Sequence, residues 1–158
     1  MPDLLLGVDP GADRVGLATM QRGDLVTCFD LPLTDALDWL SAHADTFGAA
    51  VVEDTRKLPI YARYRDKAGR DRIARGVGQV DAATGLLIDW LLARGVPVLT
   101  YTPRGKSGKK WTPAVFAAAF PDWPGEPSQH ALDAVRCVAG RSLRAVLADA
   151  ALRHPALV

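Results

Sequence analysis

The chain has 158 residues, 49% of them hydrophobic, with 19 Lys and Arg against 18 Asp and Glu. That length suits one compact domain, 1–158, with a buried sheet, and is short for two. The near balance of charge neither demands nor excludes a polyanionic partner, so any nucleic-acid argument rests on where the charges sit. Cys28 and Cys137 form no CxxC pair and no cluster with nearby histidines, and are expected as buried thiols. No basic segment leads into a long apolar run, and nothing approaches ~20 uninterrupted apolar residues, so the expected setting is cytoplasmic and no membrane partner is expected.

In chain order, Leu4-Leu5-Leu6-Gly7-Val8-Asp9 reads as a buried strand stopped by Asp9-Pro10-Gly11. Arg14 to Met20 and Leu25 to Leu31, joined by Gln21-Arg22-Gly23-Asp24, complete an opening antiparallel meander. Thr34 is expected to cap a helix through about Phe47, with Leu37, Leu40 and Phe47 on its apolar face. Ala49-Ala50-Val51-Val52 forms a second buried strand running into Glu53-Asp54.

Thr55 to about Gly69 is charged and aperiodic and reads as a surface excursion. A helix is expected from near Arg70 to Ala93, closed by Gly95, followed by a strand over Val96 to Tyr101. A basic loop, 103–110, precedes a short helix capped by Thr112-Pro113, and Ser128 caps a final helix to about Ala150. Strands alternating with helices after a meander indicate an α/β fold, a five-stranded mixed sheet with helices on both faces.

Four residues stand where elements end or begin: Asp9, Glu53, His130 and Asp133. Carboxylate-rich sites suit hard cations such as Mg2+ or Mn2+, and two such ions about 3.5–4 Å apart can clamp the attacking and leaving oxygens of a phosphodiester. His130 and Asp133, three apart, share a helix face. Glu53 and Asp54 point to opposite sides of their strand, so only one can join Asp9, and alternation alone leaves the choice open. Each residue also has an ordinary reading: Asp9 as a turn former, Glu53-Asp54 as a solvated strand end, Asp133 as a favourable helix-terminal charge, His130 as a packing residue.

The motifs Leu-Leu-Leu-Gly-Val-Asp-Pro-Gly at 4–11, Ala-Val-Val-Glu-Asp at 50–54, Gly76-Val77-Gly78-Gln79, Thr102-Pro103 followed by lysines and Trp111, Phe120-Pro121, and His130-Ala131-Leu132-Asp133-Ala134 occur in a recognisable order. In that order and spacing, over roughly residues 4–140, the chain resembles the RuvC-like Holliday-junction resolvases of the ribonuclease-H-like superfamily. The resemblance implies a ribonuclease-H-like fold and a homodimer that resolves four-way DNA junctions by metal-dependent hydrolysis with two ions per site. It implies Asp9 as the shared carboxylate, Glu53 rather than Asp54 from the central strand, and Asp133 with His130 from the last helix. Whether His130 ligates metal or handles a proton or water stays open. The segment after Asp9-Pro10-Gly11 lacks the Thr-Gly pair of bacterial housekeeping resolvases, and the whole is closer to the phage-type branch.

Directly after Glu53 come Arg56, Lys57, Arg63, Arg65, Lys67, Arg70, Arg72 and Arg75, with Tyr61 and Tyr64 interleaved; a second basic loop holds Arg104, Lys106, Lys109 and Lys110. Any one of these charges reads as a solvated surface residue, but the two clusters together read as a polyanion footprint, with tyrosines able to stack on unpaired bases. Two other functions fit the same residues: a nuclease of this fold acting on RNA, RNA–DNA hybrid or flapped DNA, and a module that binds structured DNA without cutting it.

Overall fold

The structure is a computed structural model that describes residues 2–58, 70–102 and 110–153, the side chains of 70–73 and 153 excepted. Three opening strands, β1 (Leu4–Pro10), β2 (Arg14–Gln21) and β3 (Asp24–Pro32), form an antiparallel meander. Its β2–β3 turn has Arg22 and Gly23 at φ 53° and 101°, the left-handed pair that a tight two-residue hairpin requires. Helix α1 (Leu33–His43) and a short 3-10 turn (Ala44–Thr46) lead into β4 (Phe47–Glu53). A second 3-10 turn (Thr55–Lys57) follows, then the long helix α2 (Arg70–Ala93), β5 (Val98–Tyr101), α3 (Pro113–Ala119), α4 (Gln129–Val138) and α5 (Leu143–Arg153).

The sheet order is β3-β2-β1-β4-β5, with β4 parallel to both β1 and β5. Alternation along the strands divides the core into two layers. Leu6, Val8, Val15, Leu17, Ala50, Val52 and Val98 pack against Ala36 and Leu40 of α1 and Leu87, Ile88 and Leu91 of α2. On the opposite face Leu5, Ala18, Met20, Ala49, Val51 and Leu99 pack against Phe116 of α3, Leu132, Val135 and Val138 of α4, and Val146 of α5. Strands buried on both faces are why β1 and β4 read as near-continuous apolar runs.

Three expectations change. Phe47 does not extend the first helix but begins β4, because the chain leaves the helix at His43 and turns. Thr34 does not cap α1; Pro32 occupies the cap position with no side-chain hydrogen bond, and the Thr34 hydroxyl donates to Asp35 instead. The final helix is two helices, broken at Gly140, whose φ of 72° suits glycine at a helix end. The caps expected of Thr112 and Ser128 are formed, accepting from the amides of Val115 at 3.3 Å and Ala131 at 3.2 Å. Among the described residues no helix is long and apolar enough to cross a membrane.

Candidate active site

Because β1 and β4 are parallel neighbours, their C-terminal ends lie at one edge of the sheet. Asp9 and Glu53 each stand one residue beyond the paired Val8 and Val52, and both share the face that carries Val51 and lies under α4. Asp54 points the other way. It is buried and held by Arg56, which donates from Nε at 2.9 Å and from Nη2 at 3.1 Å to its two carboxylate oxygens, while its amide donates to the Tyr101 carbonyl at 2.7 Å. Burial pushes the Asp54 carboxyl up, but the Arg56 hydrogen bonds and charge outweigh it and leave it below its ordinary value. Asp54 therefore locks the strand end, and Glu53 faces Asp9.

Helix α4 brings the remaining groups. It lies unusually close to the sheet because β1 and β2 present glycines beneath it. A Cβ on Gly7 would meet the Ala134 carbonyl oxygen at 2.3 Å, and one on Gly16 the His130 carbonyl oxygen at 1.9 Å. Gly16 is paired with Asp9 on one side and Asp30 of β3 on the other. The contact thus drops the first turn of α4 between two carboxylates.

His130 Nδ1 lies 2.8 Å from Asp9 Oδ2. The hydrogen bond to Asp9 lifts the imidazole above its usual value; partial burial opposes this, and the charges of Asp9, Asp30 and Asp133 reinforce it. Asp30, bonded to Arg14 and Ser128, is held below the usual carboxylate range: burial raises it, but those hydrogen bonds and the charges of Arg14 and His130 lower it further. Asp133, one helical turn beyond His130, is 6% exposed. Its Oδ1 is buried without a hydrogen bond among the described residues, and Lys110 Nζ stands 3.7 Å from its Oδ2.

Arg136, one further turn along α4, was not among the expected site residues. Its guanidinium donates to Glu53 Oε2 at 2.6 Å and approaches Asp133 Oδ1 at 3.6 Å, with the Tyr101 ring centroid 5.8 Å from its central carbon. Burial lifts the Glu53 carboxyl above its ordinary range and the charges of Asp9 and Asp133 add to this; Arg136 pulls the other way by charge and hydrogen bond. The spacing that groups His130 with Asp133 extends by three to Arg136, so the signal was present. Asp30 had no local signal, since only strand pairing brings it to the site.

In kind, three carboxylates and an imidazole fit a hard divalent cation, and the buried Asp133 Oδ1, which has the Arg136 ion pair at 3.6 Å but no hydrogen bond among the described residues, is a candidate ligand atom. As placed, no three His, Cys, Asp or Glu side chains among the described residues converge closely enough to hold an ion. His130 instead pairs with Asp9, and Arg136 bridges Glu53 and Asp133.

Of the expected nucleic-acid contacts, Arg56 is engaged with Asp54, Lys57 donates to Thr100, and Lys110 stands beside Asp133. Arg70 opens α2, and its side chain lies outside the description. Tyr61, Arg63, Tyr64, Arg65, Lys67, Arg104, Lys106 and Lys109 lie outside the described residues.

A scan of protein-family models and a search of curated proteins give no match. Solved structures do match. Thermus thermophilus RuvC in complex with a Holliday junction substrate superposes with a TM-score of 0.62 at 17% identity, over 92% of this chain and 97% of that one. Another Thermus thermophilus RuvC structure gives a TM-score of 0.53 at 18% identity, over 92% and 95% of the two chains. The chain has the RuvC-like, ribonuclease-H-like fold. Within that fold Asp9 and Glu53 stand at the ends of β1 and β4, and Asp133 lies over them on α4.

Proposed function

We propose that this chain is a metal-dependent endonuclease that resolves four-way DNA junctions, acting as a homodimer. The observation that carries the reading is the grouping of Asp9 and Glu53, at the ends of neighbouring parallel strands, under the turns of α4 that hold His130 and Asp133, with His130 Nδ1 2.8 Å from Asp9. It is supported by likeness in fold to a RuvC solved with a Holliday junction substrate.

Asp9, Glu53, Asp133 and His130 would hold two Mg2+ or Mn2+ ions. Such ions, when bound, supply Lewis-acid polarisation of the phosphodiester and a water of lowered pKa. The chain's own residues provide the setting. Asp9 fixes the His130 ring through Nδ1, leaving Nε2 to accept or donate a proton, or to act as a ligand. Lys110, 69% exposed beside Asp133, would meet a backbone phosphate entering from solvent. Buried Asp54, held by the partly exposed Arg56, anchors the end of β4, so that Glu53 stays aimed at Asp9.

The pairing of Glu53 and Asp133 by Arg136 favours a second reading, a module that binds branched DNA without cutting it. A panel of labelled substrates separates the possibilities: a mobile four-way junction, a flap, linear duplex and an RNA–DNA hybrid, each with Mg2+, Mn2+ or EDTA. Paired, metal-dependent cuts confined to the junction are expected. Equal cutting of the flap, duplex or hybrid keeps the nuclease and removes the resolvase, and binding without cleavage selects the second reading.

A further inference from the structure

The Arg136 side chain is 7% exposed, and a charge so buried is retained only where it is paired. Its partners are two of the carboxylates proposed above as metal ligands, at 2.6 Å and 3.6 Å. It is therefore a cation already resident among the acids. Unlike a lysine or histidine it has no neutral form near physiological pH, so it can leave Glu53 only by moving, never by losing its proton. A divalent ion drawn to Glu53 meets a carboxylate oxygen that is already committed to a guanidinium.

We propose that Arg136 competes with the divalent cation for Glu53 and so sets how much metal the site requires. In metal-free protein it holds the acids together against their mutual repulsion; as metal enters, the Glu53–Arg136 contact breaks. This inference rests on the metal-site reading given above. By Coulomb's law a unit charge about 6 Å from a divalent ion changes its affinity by roughly tenfold even at the dielectric constant of water, and by more in a half-buried site.

The test is Mn2+ binding by isothermal titration calorimetry to wild type and Arg136→Gln, with thermal melts in EDTA and in Mn2+. The variant is expected to bind Mn2+ at least about tenfold tighter than wild type, to melt lower in EDTA, and to gain more in melting temperature from Mn2+. Equal or weaker binding by the variant, with wild type binding normally, overturns the inference and makes Arg136 a support that positions Glu53 for the ion. Failure of wild type and variant alike to bind Mn2+ overturns the metal site itself, and the inference with it. Should Arg136→Gln not fold, wild type decides alone: the Arg136 side-chain Nε–H resonance should shift as Mg2+ is titrated, and a resonance that stays put while Mg2+ saturates the site overturns the competition.

Discussion

Gly16 and His130 meet backbone to backbone: a Cβ on Gly16 would lie 1.9 Å from the His130 carbonyl oxygen, closer than any side chain can be accommodated. This contact lets α4 settle onto β2 and delivers the His130 ring to Asp9. Gly16→Ala should therefore lift the first turn of α4. The expected loss is about 1–3 kcal/mol of stability, with a fall in DNA cleavage well beyond that seen for an equally destabilising change in the α1 core such as Leu40→Val. Melting temperature and cleavage rate measured on both variants check it, and equal activity at matched stability would count against a positioning role for the glycine.

The Asp54–Arg56 pair makes a pH-dependent contribution. Asp54 is held below its ordinary value of 3.8 in the folded chain, so the stability it adds is fully present above that pH and is lost as pH falls through the lowered folded value. Asp54→Asn should destabilise by about 1–3 kcal/mol at pH 7. The gap from wild type should narrow in acid, as read from denaturant midpoints between pH 7 and pH 3; a gap independent of pH contradicts the assignment.

Both thiols should be inert in the folded protein. Burial and, secondarily, the charge of Asp30 push Cys28 up to about 12, and burial raises Cys137 well above its ordinary value. At pH 8 only about one Cys28 in ten thousand is then a thiolate. A disulfide-exchange reagent should label neither quickly until denaturant is added, and rapid labelling of Cys28 in native protein would contradict the environment described. Cys28 differs from the sequence-based expectation in degree, being half-buried where Cys137 is fully enclosed.

Lys110 stands at the rim of the acids and is largely exposed, so its ion pair with Asp133 adds little to stability. Lys110→Ala should leave the melting temperature unchanged. It should weaken junction binding and reduce the slope of log K against log salt by about 1 if the ammonium meets one phosphate. An unaltered slope would remove Lys110 from the DNA interface.

Much of this architecture is legible in the sequence because β1 and β4 are apolar on both faces and each runs into an acid. Asp9 and Glu53 stand out as charges at the stops of β1 and β4, and the 3.6-residue period pairs His130 with Asp133. What misleads is apolar spacing that runs on across a break. Phe47 falls seven residues after Leu40, in phase with the helix, yet belongs to a strand. Likewise the apolar period resumes after Gly140 and hides the junction between α4 and α5. Asp30 joins the site through the Asp9–Gly16–Asp30 register, which is not local in sequence. Arg136 was visible at the right spacing but carries the wrong charge for a ligand, and only its burial against Glu53 reveals it.

The central claim is that the Asp9 cluster performs metal-dependent cleavage of branched DNA. The most direct test is nicking of a labelled mobile four-way junction by wild type and Asp9→Asn, in Mg2+, Mn2+ or EDTA, with junction binding measured in parallel. The account predicts symmetrically paired cuts by wild type only when metal is present, and their disappearance in Asp9→Asn while the junction is still bound. Undiminished cutting by Asp9→Asn, or a junction that wild type binds and leaves intact in both metals, would contradict it.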